Sequence, residues 1–156
     1  MDSVRLSVTF ITLNESHQLE RSLRSVSWAD DVVVLDSGST DGTPELARRL
    51  GARVFEQPWM GFGRQKNLAQ SHARHDWVLN LDADEVVTPR LAQEIASVVG
   101  RPSESVPQNA FSLPRLSFYA GRWIRHGDWY PDRKVRLWKR GHGHWTGHDP
   151  HDRVEV

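Results

Sequence analysis

"DVVVLDSGSTDGTPELARRLG", residues 31–51, decides the fold. "DVVVLDS" (31–37) is a short continuous apolar run, the pattern of a strand buried on both faces of a parallel sheet. It runs into Asp36 and then into turn residues, "SGSTDG". "TPELARRLG" (43–51) reads as a helix, with Thr43 as cap, Pro44 at the first position and Gly51 as stop. A buried strand that feeds a helix through a polar loop is one unit of an alternating α/β chain.

The same unit recurs on both sides of this stretch. "VRLSVTFITL" (4–13) reads as a strand rich in β-branched residues. Asn14 is placed to cap a helix from Glu15 onward, where Leu19, Leu23 and Val26 recur at helical spacing. "ARVFEQ" (52–57) is a third strand and "DWVLNLD" (76–82) a fourth. Between them, "GRQKNLAQSHAR" (63–74) is a helix with Leu68, Ala69, His72 and Ala73 on one side. "TPRLAQEIASVVG" (88–100) repeats the Thr-Pro start and Gly stop, with Leu91, Ile95 and Val98 facing inward. Strands alternating with helices predict a Rossmann-like α/β architecture, a mostly parallel sheet flanked by helices. Such sheets bind ligands at the carboxyl ends of their strands. Asp36 and Asp82, closing the second and fourth strands, are therefore expected to open into one crevice.

After Gly100 the pattern changes. "RPSESVPQ" (101–108) is a polar, proline-interrupted loop. "NAFSLPRLSFYA" and "RKVRLWKR" are short β-like pieces separated by turns rich in Gly and Trp. They predict a smaller β-rich portion, residues 101–156, packed beside the α/β part, residues 1–100, in a single domain overall.

Composition bounds the function. The chain has 156 residues, 38% hydrophobic and 26% charged, with a formal net charge of zero. The balance hides an asymmetry: residues 114–140 hold eight basic side chains against two acidic ones. Such a block attracts anions. No recognised nucleic-acid motif accompanies it, which disfavours nucleic acid as a partner. There are no cysteines, so disulfides and thiolate metal sites are excluded. The apolar run near the N-terminus is too short for a membrane span and lacks the marks of a signal peptide, which makes cytoplasmic the expected location.

Two motifs carry candidate chemistry. In "VLNLDADEVV" (78–87), Asp82 and Asp84 form an Asp-x-Asp on a loop leaving a strand. Two hard oxygen ligands at that spacing suit Mg²⁺ or Mn²⁺; the plainer reading is that Asp84 or Glu85 favours a helix N-terminus. In "DSGSTDGT" (36–43), Asp36 can hydrogen-bond a ribose or base edge, while Gly38 and Gly42 let backbone approach a ligand. Asp41 fits a structural turn. His142, His144, His148 and His151 crowd "GHGHWTGHDPH" (141–151), which reads as a loop without metal rather than a zinc site. Of Trp123, Trp129, Trp138 and Trp145, Trp129 is the candidate sugar contact.

"TFITLNE", "VVVLDSGSTDGT", "GFGRQKNLA", "WVLNLDADE" and "WYPDRKVRLWKR", in that order, resemble the bacterial family-two glycosyltransferases, within them the lipopolysaccharide core-biosynthesis branch. The resemblance implies a GT-A fold, a nucleotide-sugar donor (a UDP-sugar), a divalent metal and inverting transfer to a hydroxyl of a glycan or glycolipid acceptor. It implies that Thr12, Asn14 and Glu15 lie beside the nucleotide. Asp36 would hold uracil or ribose, and Lys66, with Arg64 as neighbour, would lie near the pyrophosphate. Asp82 would contact sugar or ribose and Asp84 the metal. The family draws its general base from an acid after a His; the matching position is Asp152 in "PHDRV", with Asp149 as the alternative. Residues 1–100 would bind the donor and 101–156 form the acceptor side, with peripheral contact of 114–140 at the inner face of the plasma membrane. Family members continue beyond the position of Val156, so a donor-binding fragment without turnover is the alternative expectation to an active enzyme.

Overall fold

The computed structural model describes residues 3–127, 130–149 and 151–156. Four strands, β1 (Val4–Thr12), β2 (Ala29–Asp36), β3 (Arg53–Glu56) and β4 (Trp77–Asn80), alternate with helices α1 (Ser16–Ser25), α2 (Thr43–Arg49), α3 (Phe62–Ser71) and α4 (Pro89–Val99). The four strands run parallel. β5 (Ala110–Arg115) and β8 (Asp132–Lys139) extend the same sheet antiparallel, in the order β3-β2-β1-β4-β8-β5. The β-rich portion is therefore partly a continuation of the main sheet, where the sequence predicted a separate packing partner. Two short ribbons remain: β6 (Ser117–Tyr119) with β7 (Arg122–Ile124), and β9 (His144–Thr146) with β10 (Arg153–Glu155).

Side-chain alternation along β1 explains the layers. Leu6, Val8 and Phe10 join Leu19 and Leu23 of α1 and Ala92, Ile95 and Val99 of α4 in one core. Leu91 and Val98 pack at its margin. Ser7 and Thr9, on the alternate positions, are buried and polar, and each is matched. Ser7 Oγ donates to Asp31, and Thr9 Oγ1 accepts from Asn80 Nδ2 at 3.1 Å. Ala73, Val78, Trp138 and Trp145 form a second cluster.

Several boundaries differ from the sequence expectation. Asn14 does not cap α1; Glu15 occupies the cap position and Asn14 adopts a left-handed backbone, φ 54. Thr43 lies inside α2, and Gly42, φ 87, holds the cap position. Only Thr88 caps as expected, its hydroxyl accepting from Leu91 N–H. α3 buries Gln65, Lys66 and Ala69, leaving Leu68 and His72 half-buried, with His72 stacked on Phe55. β4 ends at Asn80, so Asp82 sits on the following loop. Among the described residues no helix is long and apolar enough to cross a membrane.

The strand order sets where a ligand crevice is expected. From β1 the chain builds β2 and β3 to one side, then crosses to β4 on the other. β1 and β4 are the neighbouring strands at this topological switch, and open α/β sheets bind ligands at such a point.

Candidate active site

One wall of the crevice is built from two loops bonded together. Ser37 N–H donates to Thr12 C=O at 2.9 Å. Asn14 N–H donates to Ser39 Oγ, and Asn14 Oδ1 accepts from Thr40 N–H, each at 2.8 Å. Asn tolerates the left-handed backbone that this exchange requires. Glu15 N–H donates to Thr43 Oγ1, and Ser16 N–H to Asp41. Asp41 thus caps α1 from a distance. The Thr43 hydroxyl and the Ser16 contact hold its carboxyl well below the ordinary range.

Asp36 is the post behind this wall. It is fully buried. Its Oδ1 accepts from the Thr12 and Ser39 hydroxyls, and its Oδ2 from the N–H groups of Gly38 and Ser39. Burial works to raise its pKa, but these hydrogen bonds outweigh it and hold the carboxyl below its ordinary value. The carboxylate and Thr12 therefore face the loop, while Asn14 lies exposed at its rim. If the ligand is the nucleotide that the motif resemblance implies, Asp36→Ala is expected to lower its affinity equally with and without Mn²⁺, because it loosens the wall rather than a phosphate contact. Calorimetry with UDP under both conditions checks this, and a loss confined to the Mn²⁺ arm would contradict it.

The opposite wall is charged. Lys66, on the buried side of α3, is 7% exposed. Its Nζ lies 3.3 Å from Asp152 Oδ2, 3.8 Å from Asp82 Oδ1 and 4.0 Å from the centre of the Trp145 ring. Burial of this cation is compensated by two carboxylates and an aromatic face. Asp82 is held a second time by Arg136, whose guanidinium also reaches Glu85 at 3.1 Å and Asn80 Oδ1 at 3.4 Å. Glu85 folds back so that its Oε2 accepts from Asp82 N–H. Burial pushes the Glu85 carboxyl above its ordinary value; Arg136 opposes the shift and the Asp82 charge reinforces it.

The predicted residues thus divide. Lys66, Asp82 and Asp152 converge. Asp84 is exposed on the same loop and bonds to no described residue. Arg64 is exposed on the outer side of α3. Asp149 lies apart from this cluster: its carboxylate accepts from Phe62 N–H at 3.0 Å, at the start of α3. Trp129 lies outside the described residues. Arg136, Glu85 and Gln65 are site residues that lie inside the quoted motifs but take no site role from the sequence alone. Gln65 ties α3 to the first wall through Ser37 Oγ and Gln57 C=O. Arg136 sits beside Leu137 and Trp138 in a strand with no clean alternation, and only the pairing of β8 with β4 reveals its partners.

A parallel sheet with a switch-point crevice, walled by a tied glycine loop and an acid–lysine cluster, defines a class of ligand-binding α/β domain. The profile of glycosyl transferase family 2 matches residues 7–152, and the chain belongs to that family. An uncharacterised glycosyltransferase of Rickettsia bellii is 45% identical over 92 residues, covering 58% of this chain and 31% of its own. The lipopolysaccharide core biosynthesis glycosyltransferase LpsC of Rhizobium meliloti is 29% identical over 145 residues, covering 90% of this chain and 53% of its own. The chain thus spans between about a third and a half of these relatives. The mannosyltransferase PcManGT of Pyrobaculum calidifontis, solved with GDP-Man and Mn²⁺, superimposes with a TM-score of 0.53 at 29% identity over 62% of this chain and 32% of that one. The fold is the GT-A arrangement that the ordered motifs imply.

Proposed function

We propose that this chain carries the donor site of a glycosyltransferase. It would transfer a sugar, with inversion, from a UDP-sugar to a hydroxyl of a lipopolysaccharide-core or similar glycan acceptor. The observation that carries this reading is the meeting of Asp82, Lys66 and Asp152 at the switch point, beside the free Asp84. The relative LpsC supports the acceptor class, and the proposed location is the cytoplasmic side of the membrane that bears such acceptors.

Each residue has a physical task. Asn14 and Glu15, on the wall that Asp36 and Thr12 hold up, line the nucleotide. Lys66 offers a positive charge where the diphosphate leaves, and charge stabilisation at such a point is a large part of catalysis. Asp152 takes the proton of the acceptor hydroxyl; its Oδ2 faces Lys66, which leaves Oδ1 for that proton.

The residues fit a divalent ion. Asp84 is exposed and unbonded, whereas both Asp82 oxygens face cations, Lys66 and Arg136, so Asp84 is the carboxylate that would hold the ion. Among the described residues no group of three or more metal-ligating side chains occurs. One or two carboxylates, with substrate phosphates completing the shell, are the usual way of binding Mg²⁺. An ion held there would neutralise charge on the departing diphosphate. Asp84→Asn is expected to remove the gain in UDP affinity that Mn²⁺ brings and to leave the metal-free affinity unchanged. Equal affinity of mutant and wild type with Mn²⁺ present would refute the metal role. Calorimetry with UDP-, GDP- and ADP-sugars, with and without Mn²⁺, tests the donor reading itself; no binding of any of them would sink it.

A further inference from the structure

The β6–β7 ribbon stands apart from the main sheet, and its two strands pair with each other. It carries three large aromatic side chains in water: Phe118 is 60% exposed, Tyr119 61% and Trp123 53%. Phe118 and Trp123 face each other across the ribbon, ring centres 5.1 Å apart. Around them basic side chains predominate. Residues 115–128 contain Arg115, Arg122 and Arg125 against Asp128. Arg122, Arg125 and Arg133 are exposed and have no ion-pair partner among the described residues. Asp132 is already committed to Arg115 at 2.7 Å and to Lys134 at 3.3 Å.

We propose that this ribbon docks on an anionic lipid bilayer, with Phe118, Tyr119 and Trp123 in the headgroup region and Arg122 and Arg125 against lipid phosphates. Aromatic rings with polar edges favour the membrane–water interface. Basic side chains beside them are drawn to the negative surface. Charge selects the occupant. A contact with further polypeptide would need acids on that polypeptide set opposite Arg122 and Arg125, whereas a phospholipid surface supplies anions at every position.

The ribbon's position gives docking a consequence. β5 ends at Arg115, which lies 3.8 Å from Glu85, the residue after Asp84. The ribbon therefore leaves the sheet at the edge where the Asp82–Glu85 loop stands. A docked ribbon brings the mouth of the crevice to the lipid surface, where the acceptor would be a glycolipid. The acceptor assignment rests on the glycosyl-transfer reading; the docking does not.

The test is co-sedimentation of the full chain with phosphatidylcholine vesicles, with and without phosphatidylglycerol. Binding is expected only with phosphatidylglycerol and is expected to weaken as salt rises. Arg122→Gln with Arg125→Gln should lose about thirtyfold in affinity, at roughly fivefold per charge. Phe118→Ser with Trp123→Ser should also weaken binding. Wild-type binding that ignores phosphatidylglycerol, or either double variant sedimenting like wild type, overturns the proposal. So does self-association that the aromatic variant abolishes in the absence of vesicle binding, which would assign the surface to a second copy. UDP calorimetry on the same wild-type sample reports separately on the donor site, so the two readings fail by different measurements.

Discussion

If Asp152 is the base of the proposed transfer, Asp152→Asn is expected to slow that transfer by about 10²–10⁴-fold, the usual contribution of a positioned base, while affinity for the proposed UDP-sugar stays near wild type. The amide keeps the shape of the carboxylate but cannot take the acceptor proton. Lys66 loses one ionic partner yet keeps Asp82 at 3.8 Å and the Trp145 ring at 4.0 Å, so the donor wall should persist. Asp149→Asn is the control. Its carboxylate accepts from Phe62 N–H at the start of α3, a bond that an Asn side-chain oxygen can keep, so the change should leave stability and turnover near wild type. The measurement pairs steady-state transfer to a glycan acceptor with donor calorimetry. A wild-type rate in Asp152→Asn beside a dead Asp149→Asn would move the base to Asp149.

Asp31→Ala is expected to lower folding stability by about 3 kcal/mol, the lower end of the cost of breaking a buried ion pair from one side, because the Arg53 left behind is partly exposed. Asp31 is almost wholly buried near the amino end of β2. It accepts from Ser7 Oγ, from Arg53 Nε at 2.9 Å and from Arg74 N–H at 3.1 Å. Removing it deprives the Arg53 charge and the Ser7 hydroxyl of their carboxylate at the amino ends of β1 and β2, while Arg74 N–H keeps Ser7 Oγ at 2.9 Å. Burial alone would raise the Asp31 pKa, but its hydrogen bonds and the Arg53 charge hold it below the ordinary value. A carboxyl whose pKa is lower folded than unfolded contributes its stability above the unfolded value, about 3.9, and loses it as pH falls through the folded one. Urea unfolding at neutral pH should show the full deficit, and the gap between variant and wild type should narrow toward pH 2. A deficit under 1 kcal/mol at neutral pH, or a constant gap in acid, would refute this account. The site lies at the opposite end of the strands from the crevice, so UDP affinity in folded protein should be unchanged.

Part of the candidate site was legible because its signals are local. "VVVLD" declares a doubly buried strand by its unbroken apolar run, and the Thr-Pro start and Gly stop bracket α4. Local patterns also placed Asp36 at a strand end. They misjudged Asn14 and Thr43, which look like helix caps in sequence and instead bond across two loops. Each residue satisfies the backbone of its spatial neighbour, and that neighbour is some 25 residues away.

By itself the sequence determined the alternation of strands and helices, the crevice at their carboxyl ends and the acids that border it, because strand and helix periodicities are written within a few residues. The tertiary structure decided the rest. Lys66 meets Asp152 across 86 residues, Arg136 meets Asp82 across 54, and Asp149 caps α3 across 87. It also turned the Asp36 carboxylate inward and set β8 antiparallel beside β4. Such contacts follow from strand order and register, which the packing of the whole chain selects: a buried charge must find its partner wherever the sheet brings one within reach.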